Sequence, residues 1–152
     1  MKVQIGGAAA VLAIAAIGCG SGGDSTEAAL TKAQFIKRGD AICTAAQAKK
    51  TKAVQAWGEK PANKGKTLAD WSLKELSQVY SSVALPPIKE AADELAALSP
   101  PAGDAQAQKL VKALDSAVES VEEKPIRAIK DAPYASADRM AQAYGFKVCG
   151  LF

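Results

Sequence analysis

A chain of 152 residues fits one domain with a short targeting segment. Hydrophobic residues make up 49% but aromatics only 5%, and much of the apolar count is alanine, which argues for helices and against a β-sandwich. A net charge of +3 is too small to imply a nucleic-acid partner, and a sequence with no histidine lacks the commonest metal ligand and general base.

Met1-Lys2 gives a short positive start, and Ile5 to Ile17 is a run of 13 glycines and apolar residues. That length suits the core of a signal peptide and falls below the roughly 20 residues of a spanning helix. The run ends in Ala16-Ile17-Gly18-Cys19, followed by Gly20-Ser21-Gly22-Gly23. These residues resemble the bacterial lipobox, with Ala16 where Leu is usual and Ile17 where Ala or Ser is common. The resemblance implies a diacylglyceryl group on the Cys19 thiol and cleavage between Gly18 and Cys19. An uncleaved anchor and ordinary secretion with an incidental cysteine are the competing readings. The Gly-Cys junction favours lipidation, and the Gly-Ser-Gly-Gly stretch makes a poor membrane span. Two or more acyl chains make such an attachment stable, whereas one binds only marginally.

Cysteine number bears on the same point. Cys19, Cys43 and Cys149 are an odd set, which in an exported chain leaves one to explain. Lipid on Cys19 leaves an even pair, and an oxidising compartment favours joining it. A Cys43–Cys149 bond would close a loop of about 105 residues, worth up to roughly 4–5 kcal/mol in the chain-entropy model. Two buried free thiols are the alternative. The pair is too far apart for a CxxC redox site and, without histidine, makes a poor zinc site.

Gly20 to Ala29 has the composition of a flexible tether, spanning roughly 15–20 Å. Residues 1–18 are therefore read as signal peptide, 19–30 as lipidated cysteine and tether, and 31–152 as the folded domain. A domain of this size can bury a core, although alanine makes it thin enough to gain from one covalent staple.

The first helix is expected from Thr31, where Thr31 and Gln34 have capping-box spacing. Phe35, Ile36, Gly39, Ile42, Cys43, Ala46, Ala53, Val54 and Trp57 follow on one stripe up to Gly58. Glu59 to Lys66 reads as a loop. Thr67 opens a second helix, with Leu68, Trp71, Leu76, Val79, Tyr80 and Val83 inward and Asp70 in its first turn. Pro86-Pro87 is expected to break or sharply kink it. A third, shorter helix carries Ile88, Ala91, Ala92, Leu95 and Leu98 and stops at Ser99-Pro100-Pro101. Asp104 caps a fourth, with Ala107, Leu110, Val111, Leu114, Ala117, Val118 and Val121 inward. Pro125 suits the first turn of a short helix with Ile126 and Ile129. Ser136 to Tyr144 is the last helix, Gly145 its left-handed stop, and Phe146, Val148, Leu151 and Phe152 tuck the end inward. The fold class is all-α: an antiparallel bundle of four main helices plus a short C-terminal helix, with one disulfide.

Charge is unevenly placed. Lys32 to Lys66 holds nine basic residues against Asp40 and Glu59, while Leu68 to Glu123 holds ten acidic against four basic. Solvated faces of neighbouring helices explain this most simply. Lys49, Lys50, Lys52, Lys60, Lys64 and Lys66 are nonetheless candidates for contact with anionic lipid or a cell-wall polymer, since each lysine near a charged membrane adds about 1 kcal/mol. Trp57 and Trp71 flank the loop and are read as packing in the core rather than as a ligand wall. Asp115, Glu119, Glu122 and Glu123 fit the outer face of the fourth helix, and Asp93 and Glu94 are read the same way. No phosphate loop, nucleophile elbow or metalloprotease motif occurs, so neither a catalytic residue, a metal nor a cofactor is expected.

The mature chain resembles small lipoproteins of high-GC Gram-positive (actinobacterial) type. The stretches concerned are Phe35-Ile36 with Asp40-Ala41-Ile42-Cys43, Leu85-Pro86-Pro87-Ile88, Pro100-Pro101-Ala102-Gly103, and Tyr144-Gly145-Phe146 with Cys149-Gly150. The resemblance implies an exported helical domain with Cys43 and Cys149 paired, and carries no activity. The expected function is a lipid-anchored, non-enzymatic binding module on the extracytoplasmic face of the cell membrane. A small envelope hydrolase or transferase and a purely structural surface protein are the alternatives.

Overall fold

Thr31 sets where the first helix begins in the computed structural model, which describes residues 29–150. Its hydroxyl accepts from the Gln34 amide at 3.3 Å, and the Gln34 side-chain oxygen accepts from the Thr31 amide at 2.9 Å. This reciprocal box satisfies two amides that a helix start leaves without partners. Helix α1 then runs Lys32–Gly58 and buries Phe35, Gly39, Cys43 and Ala46, one residue per turn. Past Ala46 nothing on α1 is fully buried, so its last turns project beyond the core. The expectations for Cys19 and the segment before it, and for Leu151 and Phe152, lie outside the described residues.

Thr67 does not open a long helix. Its amide and hydroxyl donate to one Asp70 oxygen at 2.7 and 2.8 Å, closing a single tight turn, Leu68–Asp70. Trp71 is extended, and Ser72 starts helix α2, Leu73–Val79, with its own capping box to Glu75. The two boxes compete: a helix running on from Thr67 would place Ser72 in its interior, whereas the Ser72 cap needs extended backbone there. Leu68, expected to point inward, is consequently 78% exposed.

The expected break at Pro86-Pro87 is also absent. Helix α2 passes through a π turn, Tyr80–Ala84, directly into α3, Leu85–Ala97. The Leu85 amide donates to the Tyr80 carbonyl five residues back, and the prolines occupy the first turn of α3, where missing amides cost least. Within the widened turn, the Ser81 and Ser82 hydroxyls both donate to the Gln78 carbonyl, at 3.0 and 2.8 Å. A π turn is a recognised way for a helix to take up such a disturbance without ending.

The remaining elements follow their local signals. Asp104 accepts from the Gln106 and Ala107 amides at 3.0 Å and starts α4, Ala105–Glu123. A short α5, Arg127–Lys130, precedes α6, Ala135–Tyr144, which Gly145 stops at φ +118°. Cross-contacts fix the directions. On α1 and α3, Gly39 faces Leu95 while Lys49 pairs with Glu90. On α4 and α6, Asp104 meets Tyr144 while Ala117 and Ser120 share a groove with Pro133 and Ser136. Both pairs run antiparallel, and the described residues form an all-α antiparallel bundle without strands. No helix among them is long and apolar enough to cross a membrane.

The core lies between the first half of α1, α3, α4, α6 and the chain end. Phe35 meets Tyr144 and Phe146 edge-on, at centroid distances of 6.0 and 5.7 Å. A Cβ on Gly39 would stand 2.4 Å from the Phe146 ring, so glycine is what lets that ring rest on the α1 backbone. Cys43 and Cys149 are bonded, tying α1 to the chain end across a separation of 106 positions.

Candidate binding surface

The far end of α1 gathers most of the residues singled out from the sequence. Trp57 ends the helix, and the Asn63 side-chain amide donates to its carbonyl at 2.7 Å, folding the loop back. Trp71 comes from the extended residue before α2, and the two indoles pack at 4.9 Å. The Lys66 ammonium sits 4.3 Å over the Trp71 ring, a cation–π contact. The tryptophans do pack together, but apart from the main core, and both are only half-buried. They sit there because α1 buries nothing fully past Ala46, and its last turns meet the Tyr80–Ala84 turn, the start of α3 and Trp71. Trp57 and Lys60 line a groove of about 340 Å3 with Ala53, Ala56, Val83 and Pro86.

The lysine cluster divides. Lys49 turns toward α3 and bonds Glu90 at 2.7 Å, and that bond raises its pKa above the ordinary lysine value. Both partners are half exposed, so the pair adds little to stability. Lys50 is half-buried along α1. Lys52, Lys60, Lys64 and Lys66 are exposed, with Lys60 bordering Trp57 and Lys66 over Trp71. Gly65, at φ +82°, supplies the left-handed residue that turns the loop between Lys64 and Lys66.

At the opposite end, Asp104 caps α4 and accepts from the Tyr144 hydroxyl at 2.8 Å, while the Lys32 ammonium lies 4.2 Å over the Tyr144 ring. The Ala107 amide and then the Tyr144 hydroxyl hold the Asp104 carboxyl below its usual range. Burial, then the bond to Asp104, pushes the Tyr144 phenol up to about 12.

Asp40 is a functional-looking residue that the sequence reading missed. Its Oδ1 accepts from the Val148, Lys147 and Cys149 amides at 2.8, 3.1 and 3.3 Å, and Gln47 donates to the Val148 carbonyl at 3.4 Å. The carboxylate therefore clamps the chain end one helical turn before the disulfide. Asp115, Glu119, Glu122 and Glu123 are exposed on α4, with Glu122 bonded to Lys89 at 2.5 Å, and Asp93 and Glu94 are exposed on α3. Among the described residues no group of three or more acidic or cysteine side chains is placed to hold a metal ion.

No protein-family model, curated protein or solved structure matches the chain.

Proposed function

We propose that this is an exported protein, lipid-anchored through Cys19 on the extracytoplasmic face of the cell membrane, whose helical domain is a non-enzymatic binding module. The lipobox resemblance, the Gly/Ser tether and the likeness to small actinobacterial lipoproteins support the address. So does the Cys43–Cys149 bond, which suits an oxidising compartment. The observation that carries the binding role is the far end of α1, where Lys60 borders Trp57, Lys66 covers Trp71, and Lys52 and Lys64 are exposed nearby in the chain. Glu59 is the one acid between Asp40 and Asp70.

Charge of one sign beside amphipathic rings suits a polyanionic surface, with indole and ammonium sharing the contact. The 27 residues of α1 put this end about 40 Å from the end that leads to the tether. Anionic lipid head groups are within its reach when α1 lies along the membrane, and an anionic wall polymer when it stands away.

Sedimentation with phosphatidylglycerol vesicles and with isolated wall material tests the surface. Replacing Lys52, Lys60 and Lys64 together by Gln is expected to lower the affinity by up to about a hundredfold, at about 1 kcal/mol per lysine. Unchanged sedimentation in both arms overturns the basic-surface reading. Acyl labelling lost in Cys19→Ala supports the anchor; equal labelling of both proteins refutes it.

A further inference from the structure

Helix α2 and the link between α4 and α5 flank an open groove of about 530 Å3, separate from the tryptophan end. Its helical wall is Leu73, Ser77 and Ser81, about one turn apart, with Lys74 and the exposed Gln78 at its edge. Pro125 and Ile126, preceded by Lys124, make the opposite wall. The serines contribute little polarity, because Ser77 donates to the Leu73 carbonyl at 2.6 Å and Ser81 to the Gln78 carbonyl at 3.0 Å. Pro125 has no amide to offer. Leu73 is 48% exposed, so the trough presents an apolar wall to water.

Lys74 and Lys124, one on each wall, are exposed. Two nearby acids are engaged elsewhere: Glu75 in the Ser72 cap at 2.8 and 2.6 Å, and Glu122 on Lys89. Glu123 is the exposed acid beside Lys124. An apolar trough edged by two cations complements a ligand with one hydrocarbon chain and one negative end. We propose that this groove binds a medium-chain fatty acid, its chain along Leu73, Pro125 and Ile126 and its carboxylate at Lys74 and Lys124.

Equilibrium dialysis of the full chain against radiolabelled dodecanoate, below its micelle concentration, tests this. Cys19→Ser is used as the background, so that no acyl group of the protein competes. Saturable one-to-one binding is expected, about tenfold weaker in Leu73→Asp, where a charge meets the chain. Lys74→Gln with Lys124→Gln is expected to weaken dodecanoate about fivefold and leave dodecanol unchanged. Both changes fall on exposed positions, and an unaltered circular-dichroism spectrum verifies the fold. Non-saturable uptake, or equal affinity in Leu73→Asp, overturns the site. Equal loss of dodecanol and dodecanoate in the lysine variant overturns the carboxylate assignment.

Discussion

At the scale of single residues, the chain end is held by contacts that few side chains could make. Asp40 gathers three consecutive amides, so Asp40→Ala leaves them without their acceptor. A loss of about 2–3 kcal/mol is expected from urea denaturation, with Asp40→Asn recovering part of it. The tyrosines make a second test. Burial raises the Tyr80 and Tyr134 phenols, Tyr134 far above the ordinary range with a further push from Tyr80, and Tyr144 reaches about 12. A raised phenol favours the fold while protonated, so its stabilisation is complete below pH 10 and drains away as pH climbs through the folded value. Asp104, held low, works in the opposite sense: its contribution is present above the usual carboxylate range and is lost as pH falls through the lowered value. A spectrophotometric titration should therefore place the native phenolate steps above those of the denatured chain, which ionises its three tyrosines near 10. A native Tyr144 phenol titrating with the denatured chain contradicts the packing described.

At the scale of elements, stability is graded along the molecule. α2 buries no residue fully and depends on the Ser72–Glu75 box, whereas α3 and α4 are inlaid in the core. Ser72→Ala should cost about 1 kcal/mol and speed hydrogen exchange in α2 while leaving α4 protected. What is legible in the sequence follows the same grading. Thr31, Asp104 and Gly145 are readable because a cap is made within four residues of itself. The stripe of α4 is readable because its periodicity is unbroken. Thr67 and Pro86-Pro87 mislead for one reason. Whether a helix starts or continues there depends on donors elsewhere, the Ser72 cap in one case and the Leu85 amide with two serine hydroxyls in the other. Among site residues, the cysteine pair is legible by count. Asp40 is not, since its amides lie 107 to 109 positions away and backbone leaves no mark in composition. The tryptophans lie on the apolar stripes, but a stripe does not reveal that α1 buries nothing fully past Ala46.

At the scale of the whole molecule, the Cys43–Cys149 bond joins the first helix to the last described turn and restricts the unfolded chain accordingly. Cys43→Ser with Cys149→Ser should lower stability by up to about 4–5 kcal/mol, seen as a fall in Tm. Intact mass should rise by about two units on reduction of the wild type. Unchanged melting would mean that the packing of Phe35, Tyr144 and Phe146 with the Asp40 clamp suffices.

The same bond makes most of the described fold a covalent ring, with the exposed loop from Glu59 to Lys66 as one of its arcs. A protease that nicks that arc opens the ring without freeing either piece, for both remain joined through sulfur. Separating the two pieces then demands two unrelated chemistries, hydrolysis at the loop and thiol exchange at the far end. A domain of this construction outlives its first wound.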